Sequence, residues 1–430
     1  MYDMDGELLK KKKATLPNLT IYYLAGMVPK KHDVSVLDES VEDINFDEPL
    51  DLVGITTTTI TAERAYQISD EYRKRGVTVV MGGIHASSLP EEVSQHADVV
   101  VVGEAEDSWP KVIDDFENSK LDKMYHMPRR TSLENLSAPR FDLMDRSKYR
   151  NILFQKSPIV SIQTTRGCPY NCDFCAVTRF WGKKLRHRPV QEVIEEIKLS
   201  NADTIFFTDD NFCANYKYTE ELCEKLISLN IKYICQLDTN CYRKPDLIKL
   251  LAKSGCIMSF VGFETIREDN LKDVSKGFNK PSDYRNMVSL LHQNNINIYA
   301  SIIFGFDNDD FSLVEDTVKF LVDQRISICS FFPLTPFPGT AFYEHMKEQD
   351  RLLDEKWWLD NSKSVAGSGQ IRYSNGHPNG FELRQMALQQ FYSWPSILKR
   401  FRHVRLHRLF PFLLNLSMRN GIKKFGTCAF

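Results

Sequence analysis

Arg166-Gly-Cys-Pro-Tyr-Asn-Cys-Asp-Phe-Cys175 decides the reading of this chain. Three thiols, Cys168, Cys172 and Cys175, stand at the spacing C-x-x-x-C-x-x-C directly after a β-like run, Ile159 to Thr165. A loop that wraps a cubane iron–sulfur cluster must bring thiolates to three iron corners, and short spacings do so while Gly167 and Pro169 bend the backbone. The fourth iron then has no local ligand, which is what a cluster needs if it is to bind a small molecule and act on it. A zinc site would require a fourth Cys or His in a second short pair. His187 is the local candidate, but it stands in Lys183-Lys-Leu-Arg-His-Arg188, which reads as an exposed positive surface. Cys213, Cys223, Cys235, Cys241, Cys256, Cys329 and Cys428 form no second short pair, so a single cluster is expected.

Downstream of the thiols, β-like runs alternate with helical ones. Strands are expected at Ile159 to Thr165, Thr204 to Asp209, Tyr233 to Asp238, Met258 to Glu264, Ile298 to Gly305 and Ser327 to Leu334. Helices are expected between them at Val190 to Leu199, Tyr218 to Leu229, Pro245 to Lys253, Ser282 to Gln293 and Ser312 to Gln324. Six β/α units in series imply a parallel sheet curled into a partial barrel, with its chemistry at the C-terminal ends of the strands. Cys168, Asp209, Asp210, Glu264 and Gly305 all fall there.

Upstream, a second alternation places strands at Val34 to Asp38, Asp51 to Thr57, Val77 to Gly83 and Asp98 to Gly103, with a helix from Ala62 to Arg75 stopped by Gly76. This is the pattern of a doubly wound, Rossmann-like domain. Ligands in such a domain lie beyond the carboxyl ends of the strands, where the small residues of Val53-Gly-Ile-Thr-Thr-Thr58, Met81-Gly-Gly-Ile-His85 and Val102-Gly-Glu-Ala-Glu106 permit close approach. The fold class is therefore α/β: residues 15–120 doubly wound, 121–156 a linker, 157–346 a partial (β/α)6 TIM-type barrel, and 347–430 a mostly helical, basic cap.

Composition narrows the function. At 430 residues, two or three domains are expected. With 55 basic against 57 acidic residues, no global charge argues for nucleic acid as a partner. No stretch reaches the roughly 18 apolar residues of a membrane span, and Leu9 to Thr15 is basic and polar where a signal peptide would be apolar. A cytoplasmic protein with reduced thiols is expected. Lys399 to Lys424 carries eight Lys or Arg and no Asp or Glu, next to Leu409-Phe-Pro-Phe-Leu-Leu-Asn-Leu416. Such a segment can lie on an anionic membrane surface, or be a cap whose charges are solvated.

The three cysteines, with aromatic Phe174 before the last, resemble the signature of the radical S-adenosylmethionine (SAM) superfamily, and the β/α array resembles its partial barrel. The resemblance covers about Ser157 to Met346. It implies a [4Fe-4S] cluster whose free iron chelates SAM, an electron from a reductant such as flavodoxin or ferredoxin, and a 5′-deoxyadenosyl radical that abstracts hydrogen from substrate. It places Phe174, Asp209, Asp210, Glu264, Ser301 and Gly305 around SAM. Thr208-Asp-Asp-Asn211 matches the methionyl-amine element, Glu264 and Ser301 the ribose contacts, and Ser301-Ile-Ile-Phe-Gly305 the adenine element with serine in place of its first glycine. Pro336-Phe-Pro-Gly339 resembles the turn after the sixth strand.

The upstream half, with Leu24-Ala25 before its glycines and Leu89-Pro90-Glu91-Glu92 after, resembles the cobalamin-binding domain of the B12-dependent radical SAM subfamily over about Pro17 to Asp115. This implies cobalamin contacts from Thr56, Gly82, Gly83, His85, Gly103 and Glu104. No histidine precedes His32, so the D-x-H-x-x-G element is absent and base-off cobalamin without a protein ligand is implied. His85 itself reads as packed or hydrogen-bonded near the corrin. Met1 to Lys13 holds no β-like run, so the central first strand is expected to be missing, through a truncated start or a rearranged sheet, with the next strands left unpaired. The implied activity is methylation, C–C bond formation or ring formation at an unactivated carbon of a small-molecule or lipid-like substrate. A radical SAM oxidoreductase with a vestigial N-terminal domain and a non-enzymatic redox protein are the alternatives. A methylthiotransferase would need further cysteines before Cys168, and there are none.

Overall fold

The computed structural model describes residues 13–150, 157–360, 370–373, 378–402 and 409–425. The N-terminal sheet holds β1 (Leu52–Thr56), β2 (Thr78–Gly82), β3 (Val99–Val102) and β4 (Met124–His126), all parallel and in that spatial order. Alternate residues of its strands serve opposite faces. Val79, Met81, Val100 and Val102 pack under the helix Ala62–Lys74 and the short turns Ile84–Ser88 and Pro90–Val93. Val80, Val99 and Val101 pack under Trp109, Val112 and Ile113 of the helix Ala105–Glu117. Helices therefore cover both faces, as a doubly wound domain requires.

Two upstream expectations are corrected. Val34 to Asp38 is no strand: Leu37 is exposed, and Asp38 accepts from the Ser40 N–H and the Tyr149 hydroxyl, so the segment is held by turns. The stretch read as a linker supplies β4, a three-residue strand too short to show periodicity, which pairs beside β3. The strands β1 to β3 stay paired because they are consecutive neighbours, and among the described residues β1 pairs with β2 alone. The part of the first-strand expectation that concerns residues 1–12 lies outside the described residues.

The second sheet is six-stranded and parallel, in the order β12-β11-β10-β9-β8-β5, where β5 is Val160–Ile162, β8 Thr204–Phe207, β9 Lys232–Leu237, β10 Cys256–Glu264, β11 Asn297–Phe304 and β12 Ile328–Pro333. A separate two-stranded ribbon, β6 (Thr165–Arg166) against β7 (Arg186–His187), frames the cysteine loop. Ile205, Leu237, Val261, Ile298 and Ile302 bury against the apolar stripes of the flanking helices, for example Val193 and Ile197, Leu222 and Leu226, and Val314 and Leu321. Each such side chain stabilises the fold by about 1.5–3 kcal/mol.

The two sheets share a core. Tyr66, Met81 and Ala86 of the N-terminal domain join Phe306 and Phe342 of the barrel and the fully buried Trp357 and Trp358 in one apolar cluster. The two tryptophans therefore seal the joint between domains and are not free to line a substrate pocket. At the same joint, Glu92 accepts from the Tyr66 hydroxyl (3.0 Å) and the Trp358 Nε1–H (2.8 Å), and pairs with Lys356 (3.0 Å). Burial alone would raise this carboxyl, but the donors of His85, Trp358, Lys356 and Tyr66 override it and hold it down at about 2. A carboxyl lowered on folding stabilises at neutral pH, and that contribution is lost as pH falls from about 4.5 through about 2. Thermal stability should therefore fall with acid over that window, and that of Glu92→Gln should fall less steeply than the parent's; parallel curves would contradict the assignment.

The C-terminal run is less solvated than its charges suggest. Arg400 is buried, stacks 3.8 Å from the Phe391 ring and donates to the carbonyls of Ile326, Ser327 and Phe391. Trp394, Leu398 and Leu413 are exposed alongside Lys399, Arg402, Lys423 and Lys424. Residues 403–408 lie outside the described part. No helix among the described residues is long and apolar enough to cross a membrane.

Candidate active site

The cysteine loop leaves the ribbon at Gly167, whose φ of +93° and close approach to the Lys184 carbonyl exclude a side chain: a Cβ would stand 2.5 Å from that oxygen. Backbone bonds then fix the loop, from the Cys168 N–H to the Gly182 carbonyl, the Cys175 N–H to the Cys172 carbonyl and the Asp173 N–H to the Val274 carbonyl (3.1 Å). Tyr170 stacks on Phe278 at 3.6 Å. The thiols of Cys168, Cys172 and Cys175 are half-buried, whereas the six other described cysteines are buried. Cys428 lies outside the described residues.

Burial pushes the Cys172 thiol up to about 12 and Cys175 up to about 11, against the pull of Lys276 for the first and of the Val177 N–H for the second; burial also raises Cys168. Bare thiols here keep their protons, so a bound metal must displace them. Among the described residues no three Cys, His, Asp or Glu side chains gather tightly enough for a single ion. Three half-buried thiols carried on one loop are the donor set that a three-cysteine iron–sulfur cluster would use.

The strand ends around the loop differ in how free they are. Asp209 is wholly buried and accepts from the Thr164 N–H (3.1 Å) and hydroxyl (2.8 Å) and from the Thr165 hydroxyl (2.5 Å) and N–H. It ties the end of β8 to the strand entering the cysteine loop. Asp210 accepts no such donors, and burial followed by the charge of Asp209 pushes it up to about 7. Of the pair, Asp210 is the carboxylate open to a ligand.

Glu264 ends β10 at a bulge, with φ of +65°. A bulge re-aims the side chain it carries. The carboxylate receives the Ser301 hydroxyl at 3.2 Å and pairs with Lys276. Lys276 lies over the rings of Phe174 (5.8 Å) and Phe278 (6.0 Å). Burial works against its charge, yet the Glu264 carboxylate holds it above the usual lysine range. Nothing in the sequence marked Lys276, because it lies far from the cysteines in a short turn. Gly305, with φ of +107°, packs against Tyr373 and Gly380 of the cap; a Cβ there would stand 2.7 Å from the Tyr373 hydroxyl.

The carboxyl ends of the N-terminal strands meet this loop. Gly83 has φ of +102°, and a Cβ there would stand 2.6 Å from the Thr57 carbonyl, so Thr56, Thr57, Gly82 and Gly83 form one tight corner. The Gly103 N–H donates to Ser87 at 2.8 Å, and the space where its side chain would be is open. Gly339, in the turn after β12, lies against Ser88. Two residues expected near the corrin are committed to protein partners. His85 is fully buried and bonded to the Tyr66 hydroxyl at 2.9 Å. Glu104 gives its two oxygens to Arg166 (3.0 Å) and Arg186 (2.6 Å). That second pairing corrects the reading of Lys183 to Arg188 as a positive surface: Lys183, Lys184 and His187 are exposed, but Arg186 and Arg188 are buried, the latter 2.7 Å from Glu196.

Comparison with known proteins gives the same two halves in the same order. The B12 binding domain matches residues 8–113, and the radical SAM superfamily matches residues 162–321. The chain is 33% identical to bacteriochlorophyllide d C-12(1)-methyltransferase of Chlorobaculum tepidum, over 78% of this chain and 75% of that one. It is 32% identical to bacteriochlorophyllide d C-8(2)-methyltransferase of the same organism, over 89% and 87%. Among solved structures it shares its fold with TsrM, a radical SAM methyltransferase from Kitasatospora setae with cobalamin and a [4Fe-4S] cluster bound, at a TM-score of 0.58, 16% identity and coverage of 84% and 81%. The doubly wound sheet set against a cysteine-bearing partial barrel is thus a shared inheritance, and this chain belongs to the radical SAM superfamily, in the group that carries a B12-binding domain ahead of the barrel.

Proposed function

We propose that this enzyme transfers a methyl group from SAM to an unactivated carbon of a tetrapyrrole. The observation that carries this is the similarity to two bacteriochlorophyllide methyltransferases along three quarters or more of both chains. When bound, the cluster and SAM supply a radical that takes hydrogen from carbon, and cobalamin supplies a methyl carrier. The chain holds and orients these groups. Cys168, Cys172 and Cys175 bind the cluster. Asp210 would take the methionyl ammonium and Lys276 its carboxylate, each opposite charge matching one end of the zwitterion, while Glu264, Ser301 and Phe174 would serve the ribose. Asp209 and Gly305 act through the backbone they hold. Gly82, Gly83 and Gly103 would give a corrin a side-chain-free floor with the Thr56 hydroxyl at its corner, and His85 and Glu104, held by protein partners, would support it.

The test uses anaerobic, reconstituted protein with hydroxocobalamin, a flavodoxin or dithionite reductant, and SAM labelled in its methyl group. A chlorophyllide-type tetrapyrrole should gain one labelled methyl in place of hydrogen. SAM cleavage without methyl gain on any tetrapyrrole offered would overturn the substrate class. Loss of corrin absorbance on desalting would overturn cobalamin binding.

A cytoplasmic site fits the nine cysteines that are free thiols among the described residues. Contact with an anionic membrane surface is supported by Trp394, Leu398 and Leu413 standing exposed among exposed basic residues such as Arg402 and Lys423. Full-length protein should float with anionic liposomes, and Trp394→Ser with Leu398→Ser should lower the floated fraction severalfold; equal flotation would remove this reading.

A further inference from the structure

A buried ion-pair bridge joins the two domains beside the cysteine loop. Arg166, two residues ahead of Cys168, is only 5% exposed. Its Nη1 lies 3.0 Å from Glu104 Oε2 and its Nη2 lies 2.5 Å from Glu106 Oε1. Its Nε–H donates to Gln163 Oε1 at 2.8 Å, and its guanidinium lies 4.5 Å from the Trp181 ring. Arg186, opposite Arg166 in the β6–β7 ribbon, reaches the second oxygen of Glu104 at 2.6 Å and donates to the carbonyls of Arg130 and Trp181. Glu104 directly follows β3 by one glycine, and Glu106 stands in the first turn of the next helix.

Charges withdrawn from water are costly unless each meets a partner in good geometry. Here two arginines meet two carboxylates, so the group is neutral as a whole while every member depends on the others. Burial alone would raise the Glu106 carboxyl; the Arg166 charge overrides it and holds it below the usual range. The carboxylates belong to the B12-binding domain and the guanidiniums to the ribbon that carries the cluster loop. The forked guanidinium of Arg166 reaches two carboxylates at once, one through each terminal nitrogen, and a lysine ammonium cannot reproduce that fork.

We propose that Arg166 is a positioning residue: gripped by Glu104 and Glu106, it seats the cysteine loop on the B12-binding domain and sets the local field at the cluster. This rests on the assignment of the cluster to Cys168, Cys172 and Cys175. Because the bridge is neutral, loss of either sign acts in opposite directions. Glu106→Gln leaves an unbalanced positive charge, which favours the reduced cluster and raises its midpoint potential. Arg166→Gln leaves an unbalanced negative charge and lowers it.

The experiment takes the full chain, reconstituted anaerobically, and follows the reduced-cluster signal by electron paramagnetic resonance through a redox titration. Iron content should match the parent in Glu106→Gln, Arg166→Lys and Arg166→Gln. The midpoint should rise in the first, stay nearest the parent in the second and fall in the third. Equal midpoints, or shifts of one sign in both charge-removing variants, would overturn the proposal. A second measurement needs no cofactor: thermal unfolding of the full chain as Arg166→Gln, Glu106→Gln and the double variant. The double variant should lose less than the sum of the single losses, and strict additivity would overturn the bridge. Where Arg166→Gln fails to fold, Glu106→Gln and Arg166→Lys carry the same comparison. A parent without iron would sink the cluster assignment alone, since the unfolding cycle still decides the bridge.

Discussion

Replacing Cys172 with alanine leaves the protein folded but strips it of iron and brings SAM cleavage to the background rate. The thiol is half-buried on a loop and belongs to no apolar cluster. Its neighbours are held by backbone hydrogen bonds, such as the Asp173 N–H to the Val274 carbonyl, which the substitution does not touch. The unfolding free energy of the cofactor-free chain should therefore change by no more than about 1 kcal/mol. Losing one of three ligands removes the only protein bonds to that corner of the cluster, and with it the means to cleave SAM. Cys329→Ala is the matched control. That thiol is wholly buried in the barrel core, so the variant should lose stability by about 1–2 kcal/mol while keeping its iron. Iron content, circular dichroism and 5′-deoxyadenosine yield separate the two outcomes.

Asp209→Ala should have the opposite profile, with stability lost first. The carboxylate gathers both N–H groups and both hydroxyls of Thr164 and Thr165, all buried. Alanine leaves these donors without an acceptor, at about 1–3 kcal/mol for each that water cannot reach. The total loss should be about 3–5 kcal/mol, comparable to breaking a buried ion pair, read as a drop in denaturant midpoint. Asp210→Ala, one residue on, should leave stability nearly unchanged and weaken SAM binding at least tenfold, because that carboxylate accepts none of these bonds. Equal stability in the two variants would contradict the division of roles.

As a B12-binding radical SAM enzyme, the protein works with a [4Fe-4S] cluster, SAM and cobalamin, and the core of this was legible in the chain. Spacing alone singled out Cys168, Cys172 and Cys175, because a cluster loop is local and its geometry is written in consecutive residues. The six barrel strands were legible because each carries a short run rich in apolar, aromatic or β-branched residues between helical stretches. Val34 to Asp38 misled, since alternation marks a strand only where a neighbour exists to pair with it. Met124–His126 went unseen for the converse reason, being short but supplied with a partner. Lys276 was hidden because its meaning comes from a tertiary approach to Glu264 and Phe174. The pairing of Glu104 and Glu106 with Arg166 joins residues about sixty positions apart. Charge complementarity was visible in both segments, but only the fold says that they meet. Trp357 and Trp358 carried no role in the sequence, and only the fold shows both spent on joining the domains.

The most direct test is the electron paramagnetic resonance spectrum of the dithionite-reduced, reconstituted protein before and after adding SAM. A cluster held at three corners by this loop should change its signal shape as SAM takes the vacant iron, with 5′-deoxyadenosine appearing on the same timescale. A reduced-cluster signal that SAM leaves untouched, with no nucleoside formed, would contradict the assignment.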